Sequence, residues 1–474
     1  MPPGLAVDPW RNGDHQGIPV IMRSTAFVDF SGGRSGSAVS TWGQYSIWTE
    51  MLEDAPDHER FNVPIYNSYE KGIPISDLIA AIHRALATHE SLRTRLRGRP
   101  DGGLEQVLYG DVRLPIDIVD TNDGDTELAN KKVLWERLLS KPFDFESEWP
   151  IRVGAIARNG SIRYVLVVVS HHAIDGWAVR FLERTLWRQG ITASASLSLQ
   201  PLDEAQYQMS PAGQRIAAAA EDYWRNTLLQ APPTMFQGKS TEQRAPRHCI
   251  GTLISSALPV AAQCLSRDLK VGPSAILLAA LSTAISRITK TDRCVLRVQA
   301  NNRSKRELRQ AVSSVTMEGL FLVETGDIPF REIVRRAWIA AQATYRYAYY
   351  DKRRIDAVRA EVERERRCRI DLSCWVNDMQ SAGAYPPLCE LKVPNIVAKL
   401  GLTEVQWPRR LERHHNVTVG LRAYGSPEAV KLELIADTHV LMPGQIERIL
   451  RGIEAIVVEE VAGPGLISLD YSPV

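Results

Sequence analysis

A mixed α/β fold built from two packed lobes is predicted by three features of the sequence. Helix-period and strand-period stretches alternate along the whole chain, a strand-length run of apolar residues lies in the first half, and a stretch rich in Ser, Ala, Gln and Pro divides the 474 residues. A chain of this length exceeds what one hydrophobic core usually serves. Residues 1–24 begin with turn formers and polar groups (MPPGLAVDPWRNGDHQG) and read as a loose tail. The N-terminal lobe is expected over 25–190, a linker over 191–217 and the C-terminal lobe over 218–474.

Within the first lobe, Ile75, Leu78, Ile79, Ile82, Ala85 and Leu86 repeat at the helical period. They follow Pro74, with Ser76 or Asp77 near the cap. Tyr164–Val169 is too continuously apolar for an edge strand and reads as a central one. A helix is expected from near Gly176, with Trp177, Phe181, Leu182 and Leu186 on one face. In the second lobe, helices fit Pro273–Ile288, Phe330–Tyr345 and Pro443–Glu459. Strands fit Cys294–Ala300, Ile370–Val376, Asn416–Arg422 and Val430–Ile435, and Glu318-Gly319 reads as a turn.

Composition narrows the functional classes. With 57 basic and 55 acidic residues the net charge is +2, which gives no reason to expect nucleic acid or an anionic membrane as partner. The charge-dense segment Arg353–Arg369 mixes signs at helical spacing, the mark of a solvated helix face. The longest apolar runs fall well short of the roughly 20 residues of a membrane span. Six cysteines form no CxxC pair, His414-His415 has no supporting carboxylate, and no metal site is expected. No signal peptide is visible, so a cytoplasmic location with free thiols is expected.

The most informative string is Ser170-His171-His172-Ala173-Ile174-Asp175-Gly176, set between the apolar strand and the helix. A loop leaving a central strand can aim an imidazole into a cleft, and histidine exchanges protons near neutral pH. Asp175 can cap the helix or pair with a buried cation, and Gly176 permits close backbone approach. Alone, an HxxxD string is weak, and a satisfied structural histidine is the commoner reading.

Several further strings occur in a fixed order: TWGQYSIW at 41–48, ALATHESLRTRL at 85–96, PFDF at 142–145 followed by Pro150-Ile151-Arg152, Asn301-Asn302-Arg303 before Glu307-Leu308, and SSVTMEGLFLV at 313–323. Together with SHHAIDG they make the chain, over about residues 25 to 460, resemble the condensation domains of nonribosomal peptide synthetases. These belong to the chloramphenicol acetyltransferase-like superfamily, whose motif is HHxxxDG. Matching both histidines leaves the gap to the Asp one residue short. Matching Asp-Gly places Ser170 at the first motif histidine and His171 at the second, the position the family uses for chemistry. This second register keeps the His-to-Asp spacing.

The resemblance implies two lobes, each a mixed sheet packed with helices, arranged as a V around a central tunnel. It implies an acyltransferase forming an amide or ester bond in natural-product biosynthesis. The acyl group would come as a thioester on the phosphopantetheine arm of an acyl or peptidyl carrier protein acting in trans. The acceptor would be a small amine or alcohol, with no cofactor bound by the chain itself. It makes His171 the catalytic residue, with backbone amides near Gly176 at the oxyanion. Asp175 would pair with Arg303 across the lobes, Ser170 would support the loop, and His172, Trp42 and Asn377 become substrate-tunnel candidates. Without the resemblance, Trp42 reads as core, Asn377-Asp378 as a turn and Arg303 as surface. Carrier-bound epimerisation, a coenzyme A donor and a non-catalytic recruitment module are the competing readings.

Overall fold

The computed structural model describes residues 22–56, 58–121, 127–188, 198–236, 246–380, 393–411, 417–426 and 428–466. Residues 1–21 of the tail expected over 1–24, Cys389 and His414-His415 lie outside them, and residues 22–24 open the first strand. The chain divides into two compact units. One joins Pro2–Arg215 to Asn301–Met317; the other joins Ile216–Ala300 to Glu318–Val474. Residues expected to belong wholly to the C-terminal lobe, Arg303 among them, therefore pack with the N-terminal part.

The first unit is built on strands β1 (Met22–Phe30), β2 (Gly36–Val39), β3 (Asn62–Ile73), β4 (Thr94–Gly98), β5 (Leu104–Leu108), β6 (Val112–Thr121), β7 (Ile151–Arg158) and β8 (Ser161–Ser170). Its helices are α1 (Trp42–Glu53), α2 (Ile75–Thr88), α3 (Glu127–Leu139), α4 (Val179–Trp187) and α5 (Pro201–Met209). The main sheet runs β1-β6-β7-β8-β3, and β2-β5-β4 form a small second sheet. Strand β8 is central because both its faces are apolar. Val165, Val167 and Val169 enter the core shared with Leu78, Ile82 and Leu86 of α2 and Leu182 and Leu186 of α4. Tyr164, Leu166 and Val168 enter the other core, with Leu134, Trp135 and Leu138 of α3. Alternate side chains thus meet different helix layers, which is why the sequence shows an unbroken apolar run.

A two-residue turn at Asn159-Gly160, both at positive φ, joins β7 to β8. Such a turn matches the twist of the paired strands and sets their register. Ile151 lies opposite Val169, and on the other side Asn62 lies opposite Ser170. The end of β8 is thereby placed to within a residue.

The second unit carries β9 (His248–Ser255), β10 (Arg293–Ala300), β11 (Met317–Glu324), β12 (Cys374–Asp378), β13 (Glu404–Leu411), β14 (Val419–Gly425) and β15 (Val430–Asp437). They form one sheet in the order β11-β10-β12-β14-β15-β9-β13, with β10, β12 and β14 parallel. Its helices are α6 (Pro211–Gln230), whose first residues belong to the first unit, α7 (Leu258–Leu269), α8 (Pro273–Thr289), α9 (Phe330–Arg346), α10 (Lys352–Arg366), α11 (Val393–Leu400) and α12 (Pro443–Ala462). Helix α8 is buried from Ala275 to Ser286. Among the described residues no single helix is long and apolar enough to cross a membrane.

Three local expectations are corrected. The stretch read as a linker carries α5 and the start of α6, because Pro201 and Pro211 each open a helix whose missing N–H costs nothing there. Helix α2 follows Pro74 as expected, with Asp77 in its first turn beside the positive helix end. Helix α4 starts at Val179, after a turn at Gly176–Ala178. Glu318-Gly319 lies in β11, not in a turn. Glu318 pairs with Arg297 at 2.7 Å, and a Cβ on Gly319 would lie 2.6 Å from the Thr344 carbonyl oxygen, so the glycine lets α9 sit close on the strand.

Candidate active site

The loop from Ser170 to Ala178 is clamped at both ends, and His171 lies between the clamps. At the strand end, Ser170 N donates to Pro150 O at 2.9 Å, and Ala173 N donates to Ser170 O at 2.9 Å. At the helix end, Asp175 Oδ1 accepts from Ala178 N at 2.9 Å. Asp175 Oδ2 accepts from Arg303 Nη1 at 2.8 Å, from Val315 N at 3.1 Å, and from Thr316 N and Oγ1, both at 2.9 Å. The pair is almost fully enclosed, its side chains 4% and 1% exposed. Burial alone would raise the Asp175 pKa. The Arg303 charge and hydrogen bond, with those from Thr316 and Val315, outweigh it and hold the carboxyl below its usual range. Arg303 also donates to the carbonyls of Asn301, Ala311 and Ser313. The resemblance implied this ion pair across two lobes; it forms inside the first unit, to which Asn301–Met317 belongs.

His171 N donates to Phe61 O at 3.1 Å, so the residue just before β3 holds the backbone at this point. The Phe61 ring meets the imidazole edge-on at 6.2 Å, and the Arg60 guanidinium lies 4.3 Å over that same ring. His171 is half-buried, and its Nδ1 is enclosed with no hydrogen-bond partner. Desolvation lowers its pKa below 6.5; Asp175 and its own backbone oppose the shift, and Arg60 adds to it. At neutral pH the imidazole is therefore uncharged and able to accept a proton.

His172 points the other way. It is 2% exposed, its Nδ1 lies 2.8 Å from Ser170 Oγ, and the Phe145 ring meets it edge-on at 5.6 Å. Burial pushes its pKa down to about 4. Gly176 is exposed, and a Cβ there would meet no protein atom within 4 Å, so no close approach within the chain calls for glycine.

The remaining candidates are held by other elements. Trp42 is the buried first residue of α1, and its N donates to Gln208 Oε1 at 3.0 Å. Asn377 lies on β12, opposite Arg422 of β14, in the second unit. The TWGQ string has a local reason: Thr41 Oγ1 accepts from Gln44 N, and Gln44 Oε1 accepts from Thr41 N at 2.9 Å, a reciprocal cap on α1. Gly43 between them is required, since a Cβ there would fall 1.9 Å from Ser314 O. Among the described residues no group of His, Cys, Asp and Glu is placed to hold a metal, and the thiols of Cys294 and Cys374 are buried, with pKa values raised by desolvation.

The condensation-domain family model matches residues 44–351. The chain belongs to the condensation-domain family. Condensation domains are generally acyltransferases that work with carrier-protein domains in nonribosomal peptide synthesis, and some homologues are epimerases or non-catalytic. Among curated relatives, the hybrid PKS-NRPS synthetase LUC5 of Fusarium sp is 26% identical over 294 residues, 59% of this chain and 7% of that protein. This condensation-family chain thus spans less than a tenth of such a relative's length. Among solved structures, the X-domain in complex with OxyB from teicoplanin biosynthesis aligns with a TM-score of 0.67 at 15% identity, covering 94% of this chain and 98% of that one. The starter condensation domain of rhizomide synthetase RzmA aligns at 0.65 and 16%, covering 93% and 100%. The fold is the chloramphenicol acetyltransferase-like fold of condensation domains.

Proposed function

We propose that this chain transfers an acyl group from a carrier-protein thioester to an amine or hydroxyl acceptor, with His171 as the base. One observation carries the reading: a half-buried imidazole, its pKa lowered by desolvation, stands on a loop fixed by the Asp175–Arg303 pair. In the proposed step the acceptor's lone pair attacks the thioester carbonyl while the imidazole takes the acceptor's proton. The tetrahedral oxyanion then collapses, the C–S bond breaks, and the imidazolium returns the proton to the departing phosphopantetheine thiolate. The products are an amide or ester and a free thiol. Asp175 and Arg303 stay charged throughout; their part is to fix the loop. Backbone amides near Gly176 are the proposed donors to the oxyanion.

The test is transfer from an acyl-phosphopantetheinyl carrier protein, with the acyl-coenzyme A as a second donor, product being read by mass spectrometry. Wild type is expected to form product from the carrier thioester, and His171→Ala to lose at least about a hundredfold in rate. Undiminished turnover by His171→Ala would sink the assignment of the base. Recruitment without chemistry is the second reading, favoured by Ser170 standing where the family pattern has histidine. It requires that wild type and His171→Ala bind carrier protein alike and that neither turns over.

A further inference from the structure

Ser170 and His172 flank His171 in sequence, and their side chains are joined to each other. The Ser170 hydroxyl lies 2.8 Å from His172 Nδ1, in a place where the two residues are 0% and 2% exposed. Ser170 is also tied through its backbone to Pro150 and Ala173, and the His172 ring is braced by Phe145. His171, in contrast, has a held backbone but an Nδ1 with no partner. The turn that carries His171 thus lies between two joined side chains, with the Phe61 ring edge-on to its imidazole. A hydrogen bond between side chains i and i+2 narrows the conformations open to the residue between them. Where the family pattern carries an imidazole at 170, this chain has a hydroxyl, and the imidazole two residues later completes the contact.

We infer that Ser170 and His172 are a positioning pair, whose buried hydroxyl–imidazole hydrogen bond holds the His171 ring in its working direction. The inference rests on His171 being the base proposed above. Removing the hydroxyl takes away the partner of His172 Nδ1, on a ring whose Nε2 is already buried without one, so the ring loses the hydrogen bond that ties it to residue 170. A loosened turn admits water to His171, whose low pKa comes first from desolvation, so its titration moves up toward 6.5. The charged and titratable groups that act on it, Asp175, Arg60 and His172, are all retained in a Ser170→Ala variant.

The experiment is a histidine-ring NMR pH titration of the full chain, with His171→Ala and His172→Leu assigning the signals, alongside the transfer rate. Ser170→Ala is expected to raise the His171 midpoint and to lower kcat by about ten- to a hundredfold with KM little changed. Ser170→Thr, which keeps the hydroxyl, is expected to restore both. His172→Leu must shift His171 in the same direction, which covers the case of Ser170→Ala failing to fold. A folded Ser170→Ala or His172→Leu protein with the wild-type His171 midpoint overturns the proposal. The titration needs no substrate, so it reads the pair even if the transfer reaction is wrongly assigned.

Discussion

Replacing Asp175 with asparagine tests how the active loop is held. The wild-type carboxylate takes four donors on Oδ2 and one on Oδ1, all at 2.8–3.1 Å. An asparagine can turn only one oxygen toward them; its NH2 group then faces another donor. The Arg303 guanidinium, 4% exposed, is left with three backbone carbonyls and no counter-charge. Breaking a buried pair in this way costs about 3–5 kcal/mol. Arg303→Met leaves a carboxylate that still has four neutral donors, so its cost is set at about 1.5–3 kcal/mol. The double variant buries no charge, and the two losses are expected to fall short of additivity by about 0.5–3 kcal/mol. A chain of two units need not unfold in one step, so the readout is local. It is hydrogen exchange of peptides spanning 172–178 and 311–317, followed through a urea series. Losses that simply add, or a cost below about 1 kcal/mol for Asp175→Asn, would refute the reasoning.

Two further outcomes are expected. Gly43→Ala must push α1 away from Ser314 and cost about 1–3 kcal/mol by the same exchange assay, while Gly98→Ala, where a Cβ meets nothing within 4 Å, changes stability by less than about 0.5 kcal/mol. His89 is buried, with its pKa pushed from 6.5 down to about 4, so the unfolded chain binds its proton first as pH falls. The stabilisation is complete above 6.5 and is lost as pH falls through about 4. The stability of wild type relative to His89→Gln should therefore climb by about 3 kcal/mol between those limits and stay level above 6.5. Asp175, whose folded pKa is lowered, is common to both proteins and cancels from the difference.

The elements most legible in the sequence were those whose periodicity is enforced by burial on known faces. Strand β8, helix α8 and helix α12 were placed to within a few residues, because their apolar patterns answer directly to two helix layers or a buried core. What escaped was information carried by contacts distant in sequence. Gly319 read as a turn former, and only the approach of α9 explains it. Prolines at 201 and 211 read as linker punctuation, although each stands at the first position of a helix. Two local signals were present and overlooked: the Thr41-x-x-Gln44 cap and the Asn159-Gly160 hairpin turn that sets the β7–β8 register. The motif loop was legible as strand–loop–helix. Its register rested on keeping the His-to-Asp spacing. The assignment of Arg303 to the unit that holds Asp175 could not be read, since a chain that crosses between units leaves no mark in composition.

The pH dependence of acyl transfer tests the central claim most directly. If His171 must be neutral to take the acceptor's proton, the acid limb of kcat/KM lies below 6.5 and coincides with the His171 midpoint from ring NMR. An acid limb at or above 6.5, or one unmoved when the NMR midpoint is shifted by Ser170→Ala, would contradict it.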